Sequence, residues 1–60
     1  MTGQFKYALS VDVPESIGHA LKDIERIKKN NNPTSIENQQ LTRIQQLLRM
    51  AMSASVELSK

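Results

Sequence analysis

Among the residues of this 60-residue chain that could take part in chemistry, the largest charged group is cationic, with eight Lys or Arg. The chain has one histidine and no cysteine, so it lacks a set of His and Cys ligands for a metal ion. We therefore expect His19 to be a solvated helix residue. Basic side chains spaced three or four positions apart would share one face of a helix, where they could contact phosphate groups. These candidate phosphate contacts are Lys22, Arg26 and Lys29, with Lys28 beside them.

A second candidate for phosphate binding is the segment Thr34-Ser35-Ile36-Glu37, which matches a helix capping box. In such a box the Thr34 hydroxyl accepts from the Glu37 amide, and the Glu37 carboxylate accepts from the Thr34 amide. The free N–H groups at a helix start can also hold a phosphate. The Glu37 carboxylate would compete with that phosphate, so Thr34 and Ser35 are read either as a plain cap or as a cap that also binds phosphate.

Length and composition exclude several classes of protein. The chain is 38% apolar and carries eight Lys or Arg against six Asp or Glu, a net charge of +2. One domain this small cannot surround a catalytic pocket, so we expect neither an enzyme nor a cofactor. It has no apolar run long enough to span a bilayer, and we expect a soluble, cytoplasmic protein. Without disulfides or a metal, self-association is the remaining way to complete a core.

The N-terminal segment alternates apolar and polar residues, a pattern that predicts a strand over about residues 4–13. One face of this strand would carry Tyr7, Leu9, Val11 and Val13. Pro14 would end it, because the residue before a proline prefers extended geometry and proline fits the first turn of a helix. We therefore expect the strand to pass directly into a helix.

Two amphipathic helices are predicted to follow, over about residues 14–30 and 35–55, with a frayed C-terminus. The first carries apolar residues three and four apart on one stripe. The second has an apolar stripe broad enough for two partners, which includes Ile44 and Leu48, and we place Gln45 and Arg49 mostly outside it. The whole chain is thus one small domain of a strand and two helices.

A single strand has no partner within its own chain, and its unpaired backbone groups would favour pairing with a second copy. Two copies in antiparallel register would form a ribbon packed on four helices. The predicted fold is therefore α+β and mostly α, an intertwined homodimer. Its predicted interface residues are Tyr7, Leu9, Val11, Val13, Ile44 and Leu48.

This strand-helix-helix order, with Pro14-Glu15 at the joint and a cap before the second helix, resembles the ribbon-helix-helix family of phage and plasmid DNA-binding proteins. The resemblance covers about residues 4–52. It implies a homodimeric transcriptional regulator that places its β-ribbon in the major groove of double-stranded DNA. The positions that it implies for DNA contact are Lys6, Ala8, Ser10 and Asp12 on the ribbon, with Thr34 and Ser35 at the second helix.

Two alternatives stay open from the residues themselves. The chain could be a helical hairpin without a strand, dimerising as a four-helix bundle. It could also be a small interaction module of the phage or plasmid type, which docks its broad helix stripe on a protein partner and inhibits or modulates it. The ribbon positions should matter to DNA binding and little to protein binding.

Overall fold

The computed structural model describes residues 3–60, which form an antiparallel helical hairpin. Helix α1 spans Gly3–Tyr7, a π-helical segment spans Ala8–Asp12, and α2 spans Val13–Asn30. After a short connection, α3 spans Ser35–Leu58 and packs on α2. The Cα atoms extend over 45 × 16 × 9 Å, so the hairpin is a single layer of two helices.

The predicted strand over residues 4–13 is wrong, and with it the α+β fold. From Gly3 onward this segment is helical, and residues 3–60 contain no strand. The alternation of β-prone residues is therefore misleading. A strand needs a neighbouring strand for its backbone groups, whereas a helix satisfies them within the segment and can still pack Leu9 and Val11, both half-buried, on the hairpin. The chain forms a helical hairpin, as in the alternative prediction without a strand.

The π-helical segment has a local cause in Pro14, which follows it closely. An α-helical turn would bring the Pro14 ring against the carbonyl of residue 10, and the wider turn avoids this clash. In the wider turn the Val13 N–H donates to the Ala8 carbonyl. Pro14 has no N–H for the Leu9 carbonyl, and the Ser55 hydroxyl of α3 donates to that oxygen at 2.6 Å. Pro14 thus removes one backbone hydrogen bond to the Leu9 carbonyl, and Ser55 of the neighbouring helix supplies a hydrogen bond in its place.

The connection between the long helices is short and well specified. Asn31 caps the C-terminal end of α2, and its N–H donates to the Ile27 carbonyl at 3.1 Å. The next residue, Asn32, adopts a left-handed φ of 45°, which asparagine tolerates well. The predicted capping box is confirmed: the Thr34 N–H donates to Glu37 Oε1 at 2.9 Å, and the Glu37 N–H donates to Thr34 Oγ1 at 3.2 Å. These bonds fix where α3 begins.

The seam between α2 and α3 follows a spacing of three and four residues on both helices, as in antiparallel coiled coils. On α2 it comprises Pro14, Ile17, Leu21, Ile24 and Lys28, and on α3 Leu41, Gln45, Leu48, Met52, Ser55 and Ser59. Among residues 3–60, Ile24 is the one apolar residue that is buried. The other buried residues are polar, namely Gln45, Ser55 and Ser59. The monomer therefore has a thin and partly polar core.

The C-terminal part of α3 extends beyond the predicted helix end at about residue 55. The helix continues to Leu58, and Ser55 and Ser59 lie in the seam at 6% exposure each. Ser59 Oγ donates to the Val56 carbonyl at 2.7 Å, which closes the last turn. Small hydroxyl residues hold this end because they let α3 approach the π-helical segment closely.

Candidate interaction surface

A second apolar stripe runs along the hairpin beside the seam and faces outward. On α2 its members recur every seven residues, and on α3 they follow a spacing of three and four, so each set keeps to one side of its helix. We call this surface the outer apolar face. It consists of Val13, Ala20 and Ile27 on α2 and of Ile44, Leu47, Ala51 and Leu58 on α3.

The large side chains of the outer apolar face are well exposed. The exposed fraction is 41% for Ile27, 45% for Ile44, 51% for Leu47 and 66% for Leu58. Single exposed apolar residues are common on proteins, but a contiguous row of them marks a contact surface. This row is the most distinctive surface feature of residues 3–60.

Both helices contribute to the same side of the hairpin, as a groove at the loop end shows. The groove has a volume of about 350 Å³, and Ile27 of α2 and Ile44 of α3 both line it. Its other lining residues are Asn31, Pro33, Glu37, Gln40 and Leu41. At the loop end, the outer apolar face therefore crosses from α2 to α3.

A polar network holds the seam next to this groove. Lys28 Nζ donates to Thr42 Oγ1 at 3.0 Å and to Gln45 Oε1 at 3.2 Å, and Gln45 Nε2 donates to Glu25 Oε1 at 3.1 Å. Gln45 is only 3% exposed. A buried polar group whose partners lie at fixed positions favours one register of the helices over others. The network thereby sets which residues of α2 and α3 lie side by side.

The predicted phosphate contacts on α2 do not form one uniform basic surface. Lys28 lies half-buried in the seam network described above. Arg26 Nη2 donates to Asp23 Oδ1 at 2.7 Å on the exposed side, where Lys22 and Lys29 also lie. An acidic partner within the row weakens the attraction of this side of α2 for an anion.

At the start of α3 the capping box already occupies the helix N-terminus. The Thr34 backbone N–H, and secondarily the Thr34 side-chain hydroxyl, lower the pKa of Glu37 below the ordinary glutamate range, because a hydrogen bond donated to the carboxylate favours its charged form. Thr34 and Ser35 are exposed. An incoming phosphate at these amides would meet the negative charge of Glu37, so the geometry fits the cap reading.

The positions implied for DNA contact do not share one face. In a helix, residues two apart point in different directions, and Lys6, Ser10 and Asp12 are exposed while Ala8 is half-buried. Ser10 Oγ donates to the Lys6 carbonyl at 2.9 Å. The ribbon that would present these side chains together is not formed.

The predicted dimer interface is also divided between surfaces. Tyr7 and Val13 are exposed, whereas Leu9, Val11 and Leu48 are half-buried against the hairpin. Ile44 lies on the outer apolar face. Of the predicted residues, Val13 and Ile44 therefore belong to one continuous exposed surface.

Sequence reasoning missed the roles of three residues. Gln45 was placed mostly outside the apolar stripe, yet the seam spacing from Leu41 through Gln45 to Leu48 includes it. The pairing of Ser55 with the Leu9 carbonyl spans 46 residues and leaves no local signal. Ala51 has no distinguishing pattern until the outer face is separated from the seam.

No helix within residues 3–60 is long and apolar enough to cross a membrane, and these residues contain no cluster of three or more His, Cys, Asp or Glu that could hold a metal ion. No protein-family model, curated protein or solved structure matches the chain.

Proposed function

We propose that this protein is a helical protein-protein interaction module that acts by packing its outer apolar face on a helical protein surface. The observation that carries the proposal is the row of exposed apolar side chains on both helices, with Ile27 of α2 and Ile44 of α3 lining one groove. Such a face is the standard means by which amphipathic helices bind one another.

The accessible area of the chain supports a missing partner. It is 4722 Å², whereas a compact folded monomer of 6.8 kDa exposes about 4,000 Å². The excess, about 700 Å², is close to the share of about 800 Å² that one partner contributes to a typical stable interface. A partner on the outer apolar face would bring the exposed area into the usual range.

Binding of double-stranded DNA stays a prediction from the resemblance. In that family, base edges are contacted by a β-ribbon, and residues 3–60 of this chain contain no strand. The basic residues of α2 offer little in its place, because Lys28 is committed to the seam and Arg26 is paired with Asp23. No observation on residues 3–60 favours DNA over protein as the partner.

Photo-crosslinking tests the proposal in living cells. A photoreactive benzoylphenylalanine replaces Leu47 on the outer apolar face, and the matched control replaces its exposed neighbour Gln46, which lies outside that face. We expect covalent protein adducts from position 47 in clear excess over position 46. Equal yields at the two positions, or no protein adduct at position 47, would overturn the proposal. Duplex DNA crosslinked at position 47 would also contradict it.

A further inference from the structure

We infer that the helical surface that covers the outer apolar face is the same face of a second copy of this chain, so that two hairpins form a four-helix bundle. This inference rests on the proposed function and names its partner. Four observations lead to a second copy: the thickness of the hairpin, the layering of its outer face, its charge and its core.

The first observation is the thickness of the molecule. Stable domains pack at least two layers of secondary structure around a core, and this hairpin is one layer whose Cα atoms extend over 9 Å in the thinnest direction. Two hairpins stacked face to face would enclose the outer apolar face between two layers. Four-helix bundles have this arrangement.

The second observation is the order of large and small residues along the face. From Ile27 and Ile44, which line one groove, a seven-residue step along each antiparallel helix leads to Ala20 and Ala51. A further step leads to Val13 and Leu58. The three layers to which both helices contribute therefore follow the order large, small, large, with the alanines in the middle layer, and Leu47 of α3 lies between the first two layers.

This order is complementary to itself. A two-fold axis that lies in the plane of the face places the alanine layer of one copy on that of the other, whether the two loops lie at the same end or at opposite ends. The small central layers let the helices approach, and large side chains then meet large side chains at both ends. A face with a large residue at its centre would not match itself in this way.

The third observation is charge. The net charge is only +2, and Asp23 and Arg26 pair with each other on the exposed side of α2. The outer apolar face itself carries no ionisable residue among its members. Two copies therefore meet without concentrated like charge, and no strongly charged partner is called for.

The fourth observation is the weakness of the core in one hairpin. Ile24 is the one buried apolar residue of residues 3–60, and three buried neighbours are polar. A chain of this size without disulfides needs further apolar burial for a stable fold. A second copy supplies that burial whenever the protein itself is present.

Molecular mass in solution is the first test. Sedimentation velocity of the full chain, over about 1–200 μM so that mass action is visible, should give twice the 6.8 kDa chain mass at the upper concentrations. Leu47→Glu should raise the dimer dissociation constant by about 100-fold or more, because the interface would bury an unpaired charge. Gln46→Glu adds the same charge on the same helix outside the face and should leave the constant unchanged. A monomer at all concentrations would overturn the inference.

Cysteine crosslinking tests the arrangement with substitutions too small to unfold the hairpin. The chain has no cysteine, so single Ala20→Cys and Ala51→Cys variants report only on designed positions. Under mild oxidation we expect disulfide-linked dimers of Ala51→Cys alone if the loops lie at opposite ends, or of a mixture of the two variants if they lie at the same end. Gln46→Cys should crosslink only at the slow rate of random collision. If neither Ala51→Cys alone nor the mixture of the two variants forms disulfides faster than Gln46→Cys, the alanine layers of two copies do not meet.

The two proposals can fail separately. A monomeric protein that still gives adducts with a different protein at position 47 overturns the second copy and keeps the interaction module. A monomeric protein without adducts at position 47 overturns both.

Discussion

The two sides of α3 differ in which residues they bury and expose. The side that faces α2 buries Gln45, Ser55 and Ser59, whereas the outward side exposes Ile44, Leu47 and Leu58. The seam side also carries half-buried Leu41, Leu48 and Met52. Polar contacts in the seam specify geometry, and apolar area supplies most of the free energy of association. The difference indicates that polar contacts in the seam help to set the register of the hairpin, while the outward side keeps large apolar side chains exposed.

The largest effect on stability is expected at Ile24, the apolar residue that the seam buries. Ile24→Ala should lower the free energy of unfolding by about 2–4 kcal/mol through lost burial and a residual cavity. Urea unfolding followed by circular dichroism measures it at two protein concentrations. The matched Ile44→Ala change on the outer apolar face should cost less in a dilute monomer and more as concentration rises. Equal losses for both variants at every concentration would remove the distinction between seam and outer face.

A smaller effect is expected for the polar part of the seam. Gln45→Ala should lower the free energy of unfolding by about 1–2 kcal/mol, because Lys28 and Glu25 lose a shared partner but can regain water. Gln46→Ala, at the exposed neighbouring position, should change it by less than about 0.5 kcal/mol. The same urea titration compares them, and a Gln45 variant as stable as the Gln46 variant would show that the network does not hold the seam.

The cap of α3 should contribute about as much as one seam hydrogen bond. Thr34→Ala removes the hydroxyl that accepts the Glu37 N–H and should cost about 1 kcal/mol in thermal or urea unfolding. Ser35→Ala, one residue along, serves as the control and should be nearly neutral. If the Thr34 variant unfolds at the wild-type midpoint, the cap does not stabilise the start of α3, and packing against α2 alone determines where the helix begins.

The same cap predicts a dependence on pH. The pKa of Glu37 is lower in the folded chain than in the unfolded chain, so its stabilising contribution is complete above the ordinary glutamate pKa of about 4.3. The contribution is lost as pH falls through the lowered folded pKa. The stability difference between wild type and Glu37→Gln should therefore shrink on acidification. A difference that is constant from neutral to acid pH would contradict the shift.

The smallest effect is a gain in stability at a position outside both surfaces. A Cβ added at Gly18 would meet no atom within 4 Å, so Gly18→Ala should raise the free energy of unfolding by about 0.5–1 kcal/mol through helix propensity. Thermal unfolding checks the change. A loss of stability would indicate that another chain approaches the α2 backbone there, and the contact surface would extend beyond the outer apolar face.

The parts of the fold that depend on local signals could be predicted from the sequence. The predicted helix over 14–30 corresponds to α2 at Val13–Asn30, and the capping box at Thr34 and Glu37 marks the start of α3. The breadth of the apolar stripe on α3 also followed from its spacing. These features rest on neighbours within one or two turns, which a local pattern contains.

The parts that depend on the other helix could not be predicted. The alternation of β-prone residues before Pro14 predicts a strand, which is wrong. No local pattern shows that the Ser55 hydroxyl donates a hydrogen bond to the Leu9 carbonyl. The burial of Gln45 likewise depends on Glu25 and Lys28 of α2. The division of the α3 stripe into a seam and an outer face appears only when the hairpin is closed. The existence of an apolar surface on α3 could therefore be predicted from the sequence, but the residues that bound it could not.

The π-helical segment Ala8–Asp12 links chain length to the presence of Pro14. A π-helical turn holds one residue more than an α-helical turn, so the chain accommodates an extra residue here without breaking the helix. If Pro14 were exchanged for a residue with an N–H, the wider turn would no longer be needed to avoid the proline ring. A chain shorter by one residue could then continue as a regular α-helix. Deleting the residue alone would drive the proline ring into a carbonyl. Related sequences should therefore gain or lose the proline and the additional residue together.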